Sequence, residues 1–112
     1  MNKKIAVLEA SITVQNLIKE KLRALSLVPS FEKKGLKLLV SVYNSPPSAI
    51  LINANSTNPK ASLLIRLMKS VDKLKNVPIA LYSTGDFIFE EHFRENCGAD
   101  KFYKFKNLNP VK

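Results

Sequence analysis

The sequence predicts a doubly wound α/β domain, in which a parallel sheet is covered by helices on both faces. Three observations lead there. Short apolar-rich runs at residues 5–8, 49–52, 78–82 and, more weakly, 101–105 recur along the chain. Runs of this length without polar alternation suit strands buried on both faces. Between the runs the apolar spacing changes to steps of three and four, the period of an amphipathic helix. The chain has 112 residues, 46% of them apolar, which is enough for one core and too little for two.

Each element has its own signal. Ile5-Ala6-Val7-Leu8 is the first strand. Residues 12–25 place Val14, Leu17, Ile18, Leu22 and Leu25 on one stripe, with Lys19, Glu20, Lys21 and Arg23 mostly off it. Ser11 stands where an N-cap oxygen is useful. Residues 28–32 form a short second strand, which Pro29 assigns to a sheet edge. Gly35 precedes a helix over 36–43, with Leu36, Leu39, Val40 and Tyr43 on one side. The third strand, 49–52, follows Pro46-Pro47. A third helix over 60–74 aligns Leu64, Leu67, Met68, Val71 and Leu74. The fourth strand is 78–82. A fourth helix over 86–96 carries Glu90 and Glu91 near its start and Gly98 just past its end, as helix electrostatics and capping favour. The fifth strand is 101–105. Right-handed crossovers between parallel strands then give three layers. Only seven residues follow Phe105, Pro110 among them, so the final helix is short or missing. Either residues 1–112 are a whole domain without it, or they are a fragment or first domain of something longer.

Composition excludes several classes. No apolar run is long enough to span a bilayer, and Glu9 interrupts the first run before it could be a secretory core. The lone Cys97 cannot form an internal disulfide, which points to a reducing cytoplasm; beside Gly98 it reads as a small buried hydrophobe. His92, next to Glu91, is the one histidine. No Ser/Cys–His–acid constellation is available by spacing, so no catalytic residue and no enzyme is expected. The formal charge of +9 gathers at Lys33, Lys34 and Lys37, at Lys60, Arg66, Lys69, Lys73 and Lys75, and at Lys101, Lys104 and Lys106. Such charge favours nucleic acid or an acidic protein surface, or simply a solvated exterior. No helix-turn-helix, zinc-finger or RNA-recognition signature accompanies it.

In an open α/β sheet, ligands bind beyond the carboxyl ends of the strands, where strand order reverses. Those ends are Glu9-Ala10, Asn53-Ala54 and Ser83-Thr84. With Lys75-Asn76-Val77-Pro78-Ile79 leading into the fourth strand, Ser83 after it, and Cys97-Gly98-Ala99-Asp100 before the fifth, the chain over residues 3–105 resembles the receiver domains of two-component response regulators. The resemblance implies the chemotaxis-type, flavodoxin-like three-layer sandwich with five parallel strands in the order 2-1-3-4-5.

The working parts of that family carry over incompletely. Receivers place an acidic pair after strand one to hold Mg²⁺; here it is Glu9 and Ala10. They place the phosphorylated aspartate at the end of strand three; here it is Asn53. Ser83 keeps the hydroxyl that contacts the phosphoryl group. The lysine near the end of strand five aligns with Phe105, and the switch aromatic with Phe102. An amide oxygen is a far poorer nucleophile than a carboxylate, and Mg²⁺ normally takes one or two carboxylates. The expectation is therefore a degenerate site, with Mg²⁺ binding weak or absent and no other metal or cofactor. Glu9 is expected to bind loop amides or a nearby lysine, and Asn53 either to fix the following loop or to be a tolerated isostere. Ser83 and Thr84 would brace the loop after strand four.

The resemblance also points to the helix-four and strand-five face as the partner or dimer surface. Phe87, Phe89, Phe93, Tyr103, Lys104 and Lys106 lie there, and an exposed apolar patch marks an interaction site. The reading that results is a cytoplasmic pseudo-receiver acting by phosphorylation-independent protein–protein contact, without membrane association. Two alternatives stay open: a basic, nucleic-acid-associated regulator domain, and a phosphorylatable regulator with an atypical site.

Overall fold

The structure, a computed structural model, describes residues 3–56, 59–83 and 98–104. In chain order the elements are β1 (Lys3–Leu8), α1 (Ile12–Ala24), β2 (Leu27–Glu32), α2 (Gly35–Asn44), β3 (Ala49–Asn53), α3 (Ala61–Lys69), β4 (Ile79–Ser83) and β5 (Lys101–Lys104). The strands form one parallel sheet in the order β2-β1-β3-β4-β5. The predicted fold class and strand order are therefore correct. The predicted fourth helix, the residues after strand five, His92 and Cys97 lie outside the described residues.

Strand alternation sorts the core into two layers. Ala6, Leu8, Ile50, Ile52, Ile79 and Leu81 pack on Leu38, Val42, Leu64, Ile65 and Met68 of α2 and α3. On the opposite face Ile5, Val7 and Tyr82 pack with Ile18, flanked by Val14, Leu17 and Leu22 of α1. Beside α1 runs an apolar groove of about 560 Å³ whose wall includes Leu22, Leu51, Ala80 and Tyr103. β2 is an edge strand, paired with β1 alone, so Pro29 is tolerated where it was expected. Ser11 caps α1 by accepting from the Val14 amide at 3.3 Å.

Three details differ from the sequence reading. Leu25, placed on the α1 stripe, is the C-cap residue and is 68% exposed. α3 stops at Lys69 rather than continuing to residue 74. The Ser70 hydroxyl donates to the Leu67 carbonyl at 2.7 Å, and turns follow. Leu74 still reaches the core, which is why the helical spacing looked unbroken. Finally, α2 buries Gly35, Leu38 and Val42, not the stripe of Leu36, Val40 and Tyr43, which stays exposed. The close approach of α2 and α3 decides this. A Cβ on Gly35 would stand 2.7 Å from Leu64 Cδ1, so the Gly35 side must face α3.

Asp100 clamps the far side of the sheet. Its Oδ2 accepts from Lys69 Nζ and from the Ile79 amide, both at 2.8 Å, joining the end of α3 to the starts of β4 and β5. Burial opposes ionisation, but the bonds from Lys69 and Ile79 outweigh it and hold the carboxyl below its ordinary value. A depressed folded-state pKa adds stability above the unfolded value near pH 4, which is lost as pH falls through the folded one. The pair is partly exposed, so Asp100→Asn is expected to cost no more than about 1 kcal/mol at pH 7. Denaturant titrations should show that difference vanishing in strong acid.

Candidate functional site

The site is built at the carboxyl edge of β1, β3 and β4. Side chains 5 and 7 of β1, 49 and 51 of β3, and 80 and 82 of β4 share the α1 face of the sheet. Glu9 and Asn53 continue the same alternation. Glu9, Asn53 and Tyr82 therefore converge from three adjacent strands.

Glu9 is only 4% exposed, yet its carboxylate is well supplied with donors. Oε1 accepts from Asn53 Nδ2 at 2.9 Å and from the Tyr82 hydroxyl. Oε2 accepts from the Ser11 amide at 3.0 Å. The glutamate backbone is held as well: its N–H donates to the Glu32 carbonyl at 3.0 Å, and its carbonyl accepts from Gln15 Nε2 at 2.7 Å. The other end of the Asn53 amide, Oδ1, accepts from the Asn55 N–H at 2.8 Å, pinning the loop after β3. Tyr82 is 1% exposed and lies 3.2 Å from the Leu8 carbonyl as well. Burial, then the bond to Glu9 and the charge of Glu9, push its phenol far above the ordinary value. At working pH it is a neutral hydroxyl that donates.

Of the residues singled out by sequence, Glu9, Ala10 and Asn53 meet here. Ser83 ends β4 with the alternation of Leu81, on the α2–α3 side, and is buried. Phe102 packs half-buried against the α2–α3 core, while Tyr103 points to the α1 side and is 43% exposed. Thr84, Phe87, Phe89, Phe93, Phe105, Lys106 and the Lys104 side chain lie outside the described residues. Tyr82 is not among the residues that the sequence singles out; there it is only the last residue of an apolar strand. A phenol at the end of a buried strand, sharing the parity of a strand-end acid, is the signal that could have found it.

Three solved structures bear on this architecture. The chain superposes on a protein of Chloroflexus aurantiacus J-10-fl assigned as a response regulator with a TM-score of 0.86, at 15% identity over 93% of this chain and 85% of that one. The chemotaxis protein CheY4 of Vibrio cholerae matches with a TM-score of 0.82, at 15% identity, over 98% and 91%. The receiver domain of the sensor histidine kinase PA1611 of Pseudomonas aeruginosa PAO1 matches with 0.82, at 17%, over 100% and 88%. This chain has the fold of a response-regulator receiver domain. No protein-family model and no curated protein matches it.

The Pseudomonas receiver holds a magnesium ion in its active-site cleft. In the present fold the oxygen donors at the ends of β1 and β3 are few, and those described are engaged in hydrogen bonds. Ala10 offers no side-chain oxygen. The Glu9 oxygens are taken by Asn53, Tyr82 and Ser11, and the Asn53 oxygen by the Asn55 amide. Among the described residues no three His, Cys, Asp or Glu side chains converge, and no helix is long and apolar enough to cross a membrane.

Proposed function

We propose that the chain is a cytoplasmic pseudo-receiver: a signalling module that acts by protein–protein contact without being phosphorylated. The observation that carries this is the commitment of Asn53. At the strand end where receivers carry their phosphate-accepting acid stands an amide, and both of its ends are occupied internally, one by Glu9 and the other by Asn55. Position 53 offers no carboxylate nucleophile, and among the described residues the one neighbouring acid, Glu9, is engaged. Mg²⁺ binding is weak or absent in this reading, and no catalytic step is assigned. Phe105, aligned with the lysine of receivers, belongs to the same degenerate set.

Contact is assigned to the helix-four and strand-five face, with a partner protein or a second copy as the occupant. Tyr103 supports it, since it is a large apolar side chain of β5 that is exposed and borders the apolar groove.

One two-armed experiment tests the reading. After incubation with acetyl phosphate and Mg²⁺ the chain should keep its unmodified intact mass; a stable phosphoryl adduct overturns phosphorylation independence. In sedimentation the chain should associate, with itself or with an added partner, in a manner weakened by Tyr103→Ser. A strict monomer that also retains nothing in pull-downs overturns the docking role.

A further inference from the structure

We propose that the cleft at the carboxyl edge of the sheet binds a small molecule carrying a phosphate group, about the size of a nucleotide. This goes beyond the docking role and stands without it, since it needs no partner.

The cleft has a volume of about 540 Å³ and lies between the ends of β1 and β3 and the start of α2. That is within the range of small-molecule sites, roughly 300–1,000 Å³. It also sits where the strand order reverses, β1 being flanked by β2 and β3, which is the general ligand position in open α/β sheets. Its wall carries Lys33, Lys34 and Lys37, all exposed and none in an ion pair with another described residue.

Among the described lining residues, three lysines within five positions stand against one carboxylate, Glu9. That carboxylate is buried and spends its oxygens on Asn53, Tyr82 and Ser11. The balance in the cleft is thus positive, which disfavours a cation and favours a phosphate of about −1.5 to −2 charge at neutral pH. Ammonium–phosphate contacts are charge-assisted and stronger than neutral hydrogen bonds, and lysine supplies them as mobile point charges. The three ammonium groups carry the inference. The first turn of α2, uncapped by any side chain, belongs to the same wall. Leu36, 61% exposed on that wall, offers an apolar surface for a base or alkyl part, and Asn55 and Ser56 offer polar partners.

Isothermal titration of the full chain at low salt tests this, with ATP and inorganic pyrophosphate as probes and adenosine as the phosphate-free control. Both phosphates should bind, and adenosine at least about tenfold more weakly. The variant K33Q/K34Q/K37Q should lose about tenfold or more for both phosphates. Its thermal melt should be unchanged, since the three side chains are exposed. K19Q/K21Q/R23Q, which removes as much charge from α1, should keep the affinity. Absence of binding overturns the proposal. So does an equal loss in both triple variants, which would show diffuse charge rather than a site. A single-stranded RNA oligomer binding more than about tenfold tighter than ATP, with steep salt dependence, reassigns the cleft to a macromolecule and overturns it as well.

Discussion

Replacing Asn53 by aspartate is expected to destabilise the domain by about 4 kcal/mol at pH 7.5, although the change restores the residue type that receivers carry. Asn53 Nδ2 stands 2.9 Å from Glu9 Oε1. The substitution turns that donor into a second anion. Two unit charges at this separation repel by roughly 6 kcal/mol at an effective dielectric of about 20. Losing a hydrogen bond to a charged acceptor costs about 1.5–3 kcal/mol besides, while proton uptake by the new carboxyl limits the total. The sign with pH follows from that uptake. The introduced group has its folded-state pKa raised by the neighbouring charge, so the charge penalty is complete above that raised value, shrinks as pH falls toward the unfolded value near 3.9, and is gone below it. Denaturant unfolding of N53D and the parent chain at pH 7.5 and at pH 4 reads the effect directly. Equal stabilities at pH 7.5 would mean that Glu9 and Asn53 do not meet as described. N53D is also expected to stay unphosphorylated, because Ala10 supplies no second carboxylate.

Tyr82→Phe tests the same network from β4. The ring, 1% exposed, stays and its packing with Ile5, Val7 and Ile18 is kept; only the hydroxyl goes. Glu9 and the Leu8 carbonyl lose a donor in a buried place. The expected loss is about 1.5–3 kcal/mol, large beside the roughly 5–15 kcal/mol that holds a domain folded. A double-mutant cycle with Asn53→Ala should show coupling, because both donors serve one oxygen. Additive losses would mean that the two bonds to Glu9 are independent.

The sheet was legible because strands buried on both faces leave short, solid apolar runs, and because Pro29 and the Gly98–Asp100 stretch mark an edge and a turn. The register of α2 was not legible. Leu36, Leu38, Leu39, Val40 and Val42 make the helix apolar nearly all round, so two stripes satisfy the same period. Only the tight approach of Gly35 to Leu64 chooses between them, and that is a contact between segments distant in sequence. The end of α3 was hidden for a related reason, since Leu74 is buried by a turn that happens to continue the spacing. At the site, the residue types at positions 9, 10 and 53 could be read by alignment with receivers. The partnership with Tyr82 spans 73 residues and needs the parallel register Asn53↔Tyr82 before it can be seen.

The bonds from Asn53 and Tyr82 to Glu9 tie β1, β3 and β4 together at one end of the sheet, and that end is therefore stiff. The Glu9 N–H, bonded to the Glu32 carbonyl, extends the tie to β2, and Leu38 and Val42 hold α2 to the core beneath. A pull on any one of these strand ends is therefore shared by four strands, so a force applied at this rim spreads across the sheet instead of peeling its edge.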